Sequence, residues 1–561
     1  MYIIRSLFIL IFLIFPVFLF AQENNEGSNE GNEGGAQLHG NFQFDGQIYQ
    51  KDSSIGASEI PKEKMLMNSY ANFVYTQGKF TAGVRFEGYL NTLQGFQNDN
   101  NMNDGVGIPY RYATYKNDEM EITAGNFYEQ FGSGLILRAY EEKGLGYDNA
   151  MDGVRLKYEP VKGVYLKGLV GLQRLYFEKG PGIVRGADGE VNLNEAIPSL
   201  SEMKTQISFG GGVVSKFQED DNIIYKLPEN VLAFSGRFNV THGKITTSGE
   251  YAYKYNDPSF DNNFIYKHGE ALLINSSYST KGFGCILSAK RIDNMSYRSD
   301  RTQKLNNLSI NYLPAINKSF TYTLLNMYPY ASQSMGELGA SAEIMYKLKK
   351  ETMLGGKYGT DINMNFTYVH ALHKFEINDT IPIGQTGTLG YHTDWFDAGK
   401  EMLYQDFNIE FTRKLSDKMK TTVLYQNLIY NNDVLHGVDY HGKIFANTGL
   451  IDFTYKMTSN KAIRGEIEGL FTKQDQGNWA MGLVEVTVPR WFFTVQDMYN
   501  YGNEESSKRL HYMNVSFGYI KKGTRIQIGY GKQKKGVMCV GGVCRTVPAS
   551  NGLTISISST F

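Results

Sequence analysis

A two-residue alternation of apolar with polar or small side chains recurs along almost the whole chain, and it limits the fold more than any other feature. From Lys79 to Leu90, the residues Phe80, Ala82, Val84, Phe86, Gly88 and Leu90 fall on one face, and Thr81, Gly83, Arg85 and Glu87 on the other. Leu403, Phe407, Ile409 and Phe411 stand against Tyr404, Asp406, Asn408 and Glu410. Ile463, Gly465 and Ile467 stand against Arg464, Glu466 and Glu468, and Ile526 and Ile528 against Arg525 and Gln527. A period of two means extended strands that meet a different solvent on each side. A soluble sandwich alternates as well, so the pattern does not by itself place the chain in lipid.

The spacing of turns narrows the choice. Short turn signals stand at Gln77-Gly78-Lys79, Asn117-Asp118, Val161-Lys162-Gly163, His242-Gly243-Lys244, Lys281-Gly282, Asn317-Lys318, Lys349-Lys350, Leu415-Ser416-Asp417, Thr458-Ser459-Asn460, Pro489-Arg490 and Lys522-Gly523. Between them lie longer and far more variable connections. Tight turns at one end and long loops at the other are the asymmetry of bacterial outer-membrane barrels, in which the tight turns face the periplasm. With both termini at the tight-turn end, the turns imply an all-β, antiparallel transmembrane barrel of about 24 strands, within the range 22–26. The last stretch, GLTISISSTF, alternates Leu553, Ile555 and Ile557 with Thr554, Ser556 and Ser558 and ends in Phe561. A final amphipathic strand with a C-terminal Phe resembles the signal read by the barrel-assembly machinery, which makes Phe561 the expected assembly signal. In lipid only a helix or a closed barrel satisfies the backbone, so the sheet is expected to close.

Residues 1–21 carry Arg5, then an apolar run to Phe20 and a small residue at Ala21, which reads as a Sec signal peptide cut before Gln22. Residues 22–36 are acidic and Gly-rich and read as a disordered leader. Residues 37–561 are expected to form the barrel, in the outer membrane of a Gram-negative cell. A net charge of −1 gives no field that would steer nucleic acid, so none is expected as a partner. The expected surroundings are the lipid bilayer and lipopolysaccharide, the assembly machinery during biogenesis, and further envelope proteins.

Two segments, AGNFYEQFGSGLILRAYEEKGLGYDNAMDGVRLKY from Ala124 and the ending GVMCVGGVCRTVPASNGLTISISSTF, resemble a family of large Bacteroidota outer-membrane barrels with no assigned function. The resemblance implies membrane and fold, and supplies no substrate. The chain has no evident plug domain before Gln37, which disfavours TonB-dependent transport, and it has no room for the soluble domains of pilus ushers.

A barrel of this size encloses a wide lumen that something should fill. The longest connections are the candidates: Phe127 to Met151, Phe177 to Glu229 and Lys374 to Lys400. The first carries Arg138, Glu141, Glu142, Lys143, Asp148 and Asn149, with Arg155 just beyond. Folded inward, these residues would form a charged constriction, or else would pair with wall residues and hold a plug in place. Arg85, Glu87, Lys167, Arg464, Glu466 and Arg525 are expected to face the lumen. In the second connection, Arg185, Asp188, Glu190, Asn192 and Asn194 offer oxygen ligands among them, but depart from a calcium loop and read better as a solvated loop.

Cys539 and Cys544, in the outer connection before the last strand, are expected to form a disulfide in an oxidising compartment, with Cys285 a wall residue. Histidines cluster only loosely. His370 and His373 fall on opposite faces of a strand; His392 lies near Asp394 and Asp397; and His436, Asp439 and His441 give a weak surface metal candidate. No metal site, cofactor or enzymatic activity is expected. Tyr89, Tyr110, Tyr140, Trp479, Trp491 and Phe492 read as interfacial girdle residues. Two functions stay open: a loop-constricted channel or porin-like pore, and a plugged, non-transporting barrel that scaffolds an envelope assembly.

Overall fold

The computed structural model describes residues 35–96, 105–436 and 442–561. Twenty-four antiparallel strands pair in chain order, and the last, Ser550–Thr560, pairs with the first, Gln37–Tyr49, in the register Phe44↔Ile557. This is the closed all-β barrel expected from the alternation. No helix among the described residues is long and apolar enough to cross a membrane. The proposed signal peptide, nearly all of the leader, Asp439 and His441 lie outside the described residues.

Each strand sorts its side chains as the period of two requires. In Asn230–His242, Val231, Ala233 and Ser235 point inward and are buried, whereas Leu232, Phe234 and Phe238 point outward and are exposed. The same outward phase carries Val84, Phe86, Leu166, Val170, Phe366, Val423, Ile451 and Phe517. A closed wall that exposes such a band around its circumference is the surface of a membrane-spanning barrel. At the end that holds both termini most hairpins are tight. Gly243 and Gly282 adopt φ of +59° and +81°, the left-handed backbone that two-residue hairpins demand. Phe561 closes the seam: its amide and carbonyl exchange 3.0 Å hydrogen bonds with Gly40. Its ring fills the space over Gly40, where a Cβ would meet it at 2.1 Å.

The strand number agrees with expectation because one false turn and one unexpected turn cancel. Asn317-Lys318 is not a turn but lies inside the connection 294–336, at the end away from the termini. A hairpin connection at 193–204, with a short helix Leu193–Ala196, takes its place in the count. The stretch from Phe177 to Glu229 is therefore not a long loop. It holds the wall strands Glu178–Asn192 and Thr205–Phe217, paired from Ile183↔Phe217 to Asn192↔Ser208. Its glycines gave it the look of a loop, yet Gly186 and Gly212 sit on the luminal phase and make room for the Phe131 ring.

The connection 373–397 also departs from expectation. Its latter part turns outward over the rim instead of into the lumen. Tyr391 Oη donates to Asp293 at 2.9 Å, and Trp395 lies against Arg291 and Tyr251, which belong to the outward phase of their strands. The lumen is filled by 128–150, by 294–336 and by a hairpin from 534–549.

Candidate functional site: the plugged lumen

The connection 128–150 folds inward as an apolar finger braced by short ladders, Glu129↔Ala139 and Glu141↔Asp148. Phe131, Leu135, Ile136 and Leu137 at its tip are at most 1% exposed. They pack on the inward faces of Val184, Val214, Val231, Ala233, Ala252, Ala271 and Ile292. Burial of several large side chains at about 1.5–3 kcal/mol each is ample to seat a segment of this length.

The connection 294–336 continues the plug. Arg138 N donates to Ile310 O at 2.8 Å and Tyr312 N to Gly134 O at 2.9 Å, so the two connections pair with each other. The Asn311 amide donates to the carbonyls of Leu135 and Met295, at 3.2 and 2.7 Å. The chain then crosses to the opposite wall, where Leu324, Tyr328 and Tyr330 pack on Val369, Leu403, Leu428, Ile444, Leu470 and Trp479. Leu325 reaches Leu424 and Leu450. There the Glu468 carboxylate accepts from Thr323 N and Leu324 N at 3.0 and 2.9 Å.

A hairpin formed by Gly536–Val540 and Val543–Val547 wedges against both connections. Cys539 and Cys544 are joined across it, with their Cα atoms 4.0 Å apart. Gly541 O accepts from Tyr312 Oη at 2.5 Å, Cys544 O accepts from Asn306 Nδ2 at 2.7 Å, and Arg545 Nε donates to Gly144 O at 3.1 Å.

The charged residues expected at the constriction each have a partner. Arg85 binds both Glu141 oxygens at 2.9 and 3.1 Å and Asp148 at 3.2 Å; Arg174 binds Asp148 at 2.8 Å and Glu87 at 2.7 Å. Three carboxylates face two guanidiniums here, and burial pushes the Glu141 carboxyl above its usual range against the pull of Arg85. Arg138 stacks between Tyr140 and Tyr312 at 4.3 and 4.0 Å. Asn149 donates to Ser309 O at 2.8 Å and accepts from Tyr140 N at 2.7 Å. Lys143 donates to Gln43 at 3.2 Å, and Glu142 accepts from Gly144 N at 3.0 Å, capping a local turn. Arg155 belongs to the wall strand Met151–Val161, where it bonds Glu121, Thr123 and the carbonyl of Tyr128. The cavity beside Glu87, Glu141 and Arg174 measures about 30 Å³, the scale of a water molecule.

Asp188 and Glu190 are luminal wall residues clamped by Arg237, at 2.7 Å and 3.0 Å. Arg185 lies on the opposite phase, and the Asn194 amide is spent on Leu200 O and Thr205 O, so these residues form neither a solvated loop nor a calcium loop. Of the six aromatics assigned to a girdle, only Trp491 faces outward. Tyr89, Tyr110, Trp479 and Phe492 point into the lumen, and Tyr140 is part of the plug. Parity would have found Tyr89, which shares a face with Arg85 and Glu87, and Trp479, which shares one with Glu485. Arg174 was missed because a register shift between Leu172 and Arg174 breaks the alternation there. Among the described residues no group of three His, Cys, Asp or Glu side chains is placed to hold a metal.

Towards the end that holds the termini the lumen is open. Asn239, Asn514, Thr554 and Ser558 point inward and are exposed. Gln43, Asp45, Thr494, Gln496, Ser516, Gln527 and Ser556 line one side as a half-buried polar lane.

No curated protein matches the chain significantly by sequence. Solved structures with a similar course include the P pilus usher (PapC) translocation pore, at 8% identity and a TM-score of 0.42, covering 93% of this chain and 99% of that one. A variant of the ferric enterobactin receptor PfeA of Pseudomonas aeruginosa in complex with enterobactin matches at 12% identity and 0.40, covering 94% and 82%. OccAB4 of Acinetobacter baumannii matches at 9% and 0.34, covering 84% and 100%. Likenesses this distant carry neither cargo nor partners over to this chain. One family model does match, over residues 3–561, and the chain belongs to the family of unknown function DUF6029.

Proposed function

We propose that this chain is an outer-membrane barrel held shut by its own connections, and that it serves as a membrane-embedded scaffold or accessory subunit of an envelope assembly. Its termini face the periplasm, where Phe561 serves as the assembly signal, and its long connections face the cell exterior. One observation carries the reading: the connection 294–336 crosses the lumen and contributes buried side chains to apolar cores on both walls. A standing pore keeps its constriction wet, whereas a segment seated by apolar burial behaves as part of the folded core. No catalytic step or cofactor belongs to this reading.

Single-channel recording in planar bilayers tests it. The intact protein should be silent, and replacing 311–330 by a short Gly-Ser bridge should give steady conductance. Steady conductance of the intact protein would overturn the proposal. Native pull-down of the silent protein should then return fixed envelope partners.

The half-buried polar lane from Gln43 to Ser556 favours a second reading, a loop-constricted channel opened by displacement of the plug. In that case Glu141→Gln with Glu142→Gln should change the ion selectivity of any openings.

A further inference from the structure

Charge is distributed unevenly between the two ends of the barrel. The tight connections at the end holding the termini carry exposed Lys79, Lys162, Lys244, Lys281, Lys418 and Lys461, one on or beside each of six different hairpins spread around the circumference. Further cations stand on the connections 193–204, 349–359 and 489–490. Carboxylates at this end stand on 117–119 and 193–204, with Glu159 bonded to Gly163 N, Asp361 paired with Lys347, and Glu351 and Asp417 elsewhere, in a chain whose net charge is only −1.

The position of these cations relative to the bilayer follows from their neighbours. Next to Lys281, the outward-facing rings of Tyr278, Phe283 and Tyr346 form a row, with centroids 5.9 and 6.5 Å apart. Beside 489–490, Trp491 packs on Phe517 and Tyr519 at 4.9 and 4.5 Å. Outward aromatics of this kind mark the interfacial girdle of a barrel. Residues one or two positions beyond it, at about 3.3 Å per residue, stand at headgroup depth.

We infer that this end of the barrel is a ring-shaped binding surface for anionic phospholipid headgroups of the leaflet around it. A protein partner would be met by a one-sided patch on segments that project. This ring instead runs around the wall on hairpins mostly too short to leave the bilayer edge, so the phosphates of the lipid annulus are the anions within reach. Each lysine near such a surface adds attraction that falls off within a Debye length. The inference rests on the girdle and the ring and is independent of whether the lumen conducts.

Spin-labelled lipids in phosphatidylcholine vesicles test it, and the readout does not depend on which way the barrel is inserted. Labelled phosphatidylglycerol should associate with the intact protein about threefold more strongly than labelled phosphatidylcholine, and 1 M salt should abolish the difference. Replacing the six named lysines by Gln should remove the preference, while replacing them by Arg should keep it; the heat-modifiable band on gels reports that each variant is folded. If the Gln variant does not fold, the salt response of the intact protein decides. Equal association of both lipids with the intact protein, or a preference unmoved by salt or by the Gln variant, would overturn the inference. Equal association that becomes a preference only after removal of 22–36 would also overturn it, and would assign the ring to the chain's own acidic leader.

Discussion

Two sectors of the same wall have opposite luminal chemistry. From Met151–Val161 round to Phe283–Asp293 many inward positions towards the outer end are small or apolar, among them Gly186, Gly212, Val214, Ala233, Ala252, Ala271 and Ile292, and the lysines between them, Lys216, Lys254 and Lys290, are buried and paired. The small and apolar residues lie under the plug. From Trp491–Tyr499 round to Gln37–Tyr49 the inward positions are mainly hydroxyls and amides, half-buried or exposed, and the plug reaches them through isolated contacts such as Lys143 to Gln43 at 3.2 Å and Gln496 to Thr323 at 3.3 Å. Backbone geometry is common to both sectors. What differs is whether the inward face was made to exclude water or to keep it, so the lumen is part folded core and part aqueous vestibule.

This contrast can be broken by substitutions that treat the two sectors alike. The largest effect should come from the fully buried Lys216, which bonds Asp257 at 2.6 Å. Asp257→Asn would strand a charge and cost about 3–5 kcal/mol, seen as a lower melting temperature in detergent and earlier proteolysis of 255–268. Phe131→Ala should cost about as much, 3–5 kcal/mol, by opening a cavity at the centre of the finger.

Next comes Gly186→Val. A Cβ there would lie 2.8 Å from the Phe131 ring, so overpacking by about 1–3 kcal/mol should dislodge the finger and expose 128–150 to protease.

Smaller again is a pH effect at Glu141, whose carboxyl burial raises. A raised acid contributes stability that is fully present below the unfolded carboxyl value, about 4.3, and lost as pH rises through the higher folded value. The melting temperature of the intact protein, measured relative to Glu141→Gln, should therefore fall from pH 4 towards neutrality; a rise would show that the Arg85 pair dominates instead. The smallest effect belongs to the open sector, where Ser558→Val should change stability by no more than about 0.5 kcal/mol. A penalty at Ser558 equal to that at Gly186 would erase the distinction between the sectors.

Much of the wall was legible from residues alone. Inward Arg85, Glu87, Lys167, Arg464, Glu466 and Arg525 stand where alternation put them, because strand parity is a local property that neighbours cannot alter. Where alternation was interrupted, reading failed. Glycines hid Glu178–Asn192, a register shift hid Arg174, and Asn317-Lys318 resembled a hairpin while sitting in the plug. The charges at 138–149 were visible, but their partners were not. Arg85 meets Glu141 and Asn149 meets Ser309 across long stretches of chain, and no periodicity encodes such pairs.

A period of two and a turn rhythm are written residue by residue, and they are enough to specify a closed antiparallel barrel of about two dozen strands with a lipid-facing band. Tertiary structure alone decided that 128–150 and 294–336 fill the lumen while 373–397 turns outward over the rim. That choice depends on shape-matched burial between segments far apart in the chain, where the small luminal side chains of one wall meet the apolar tip of a distant loop.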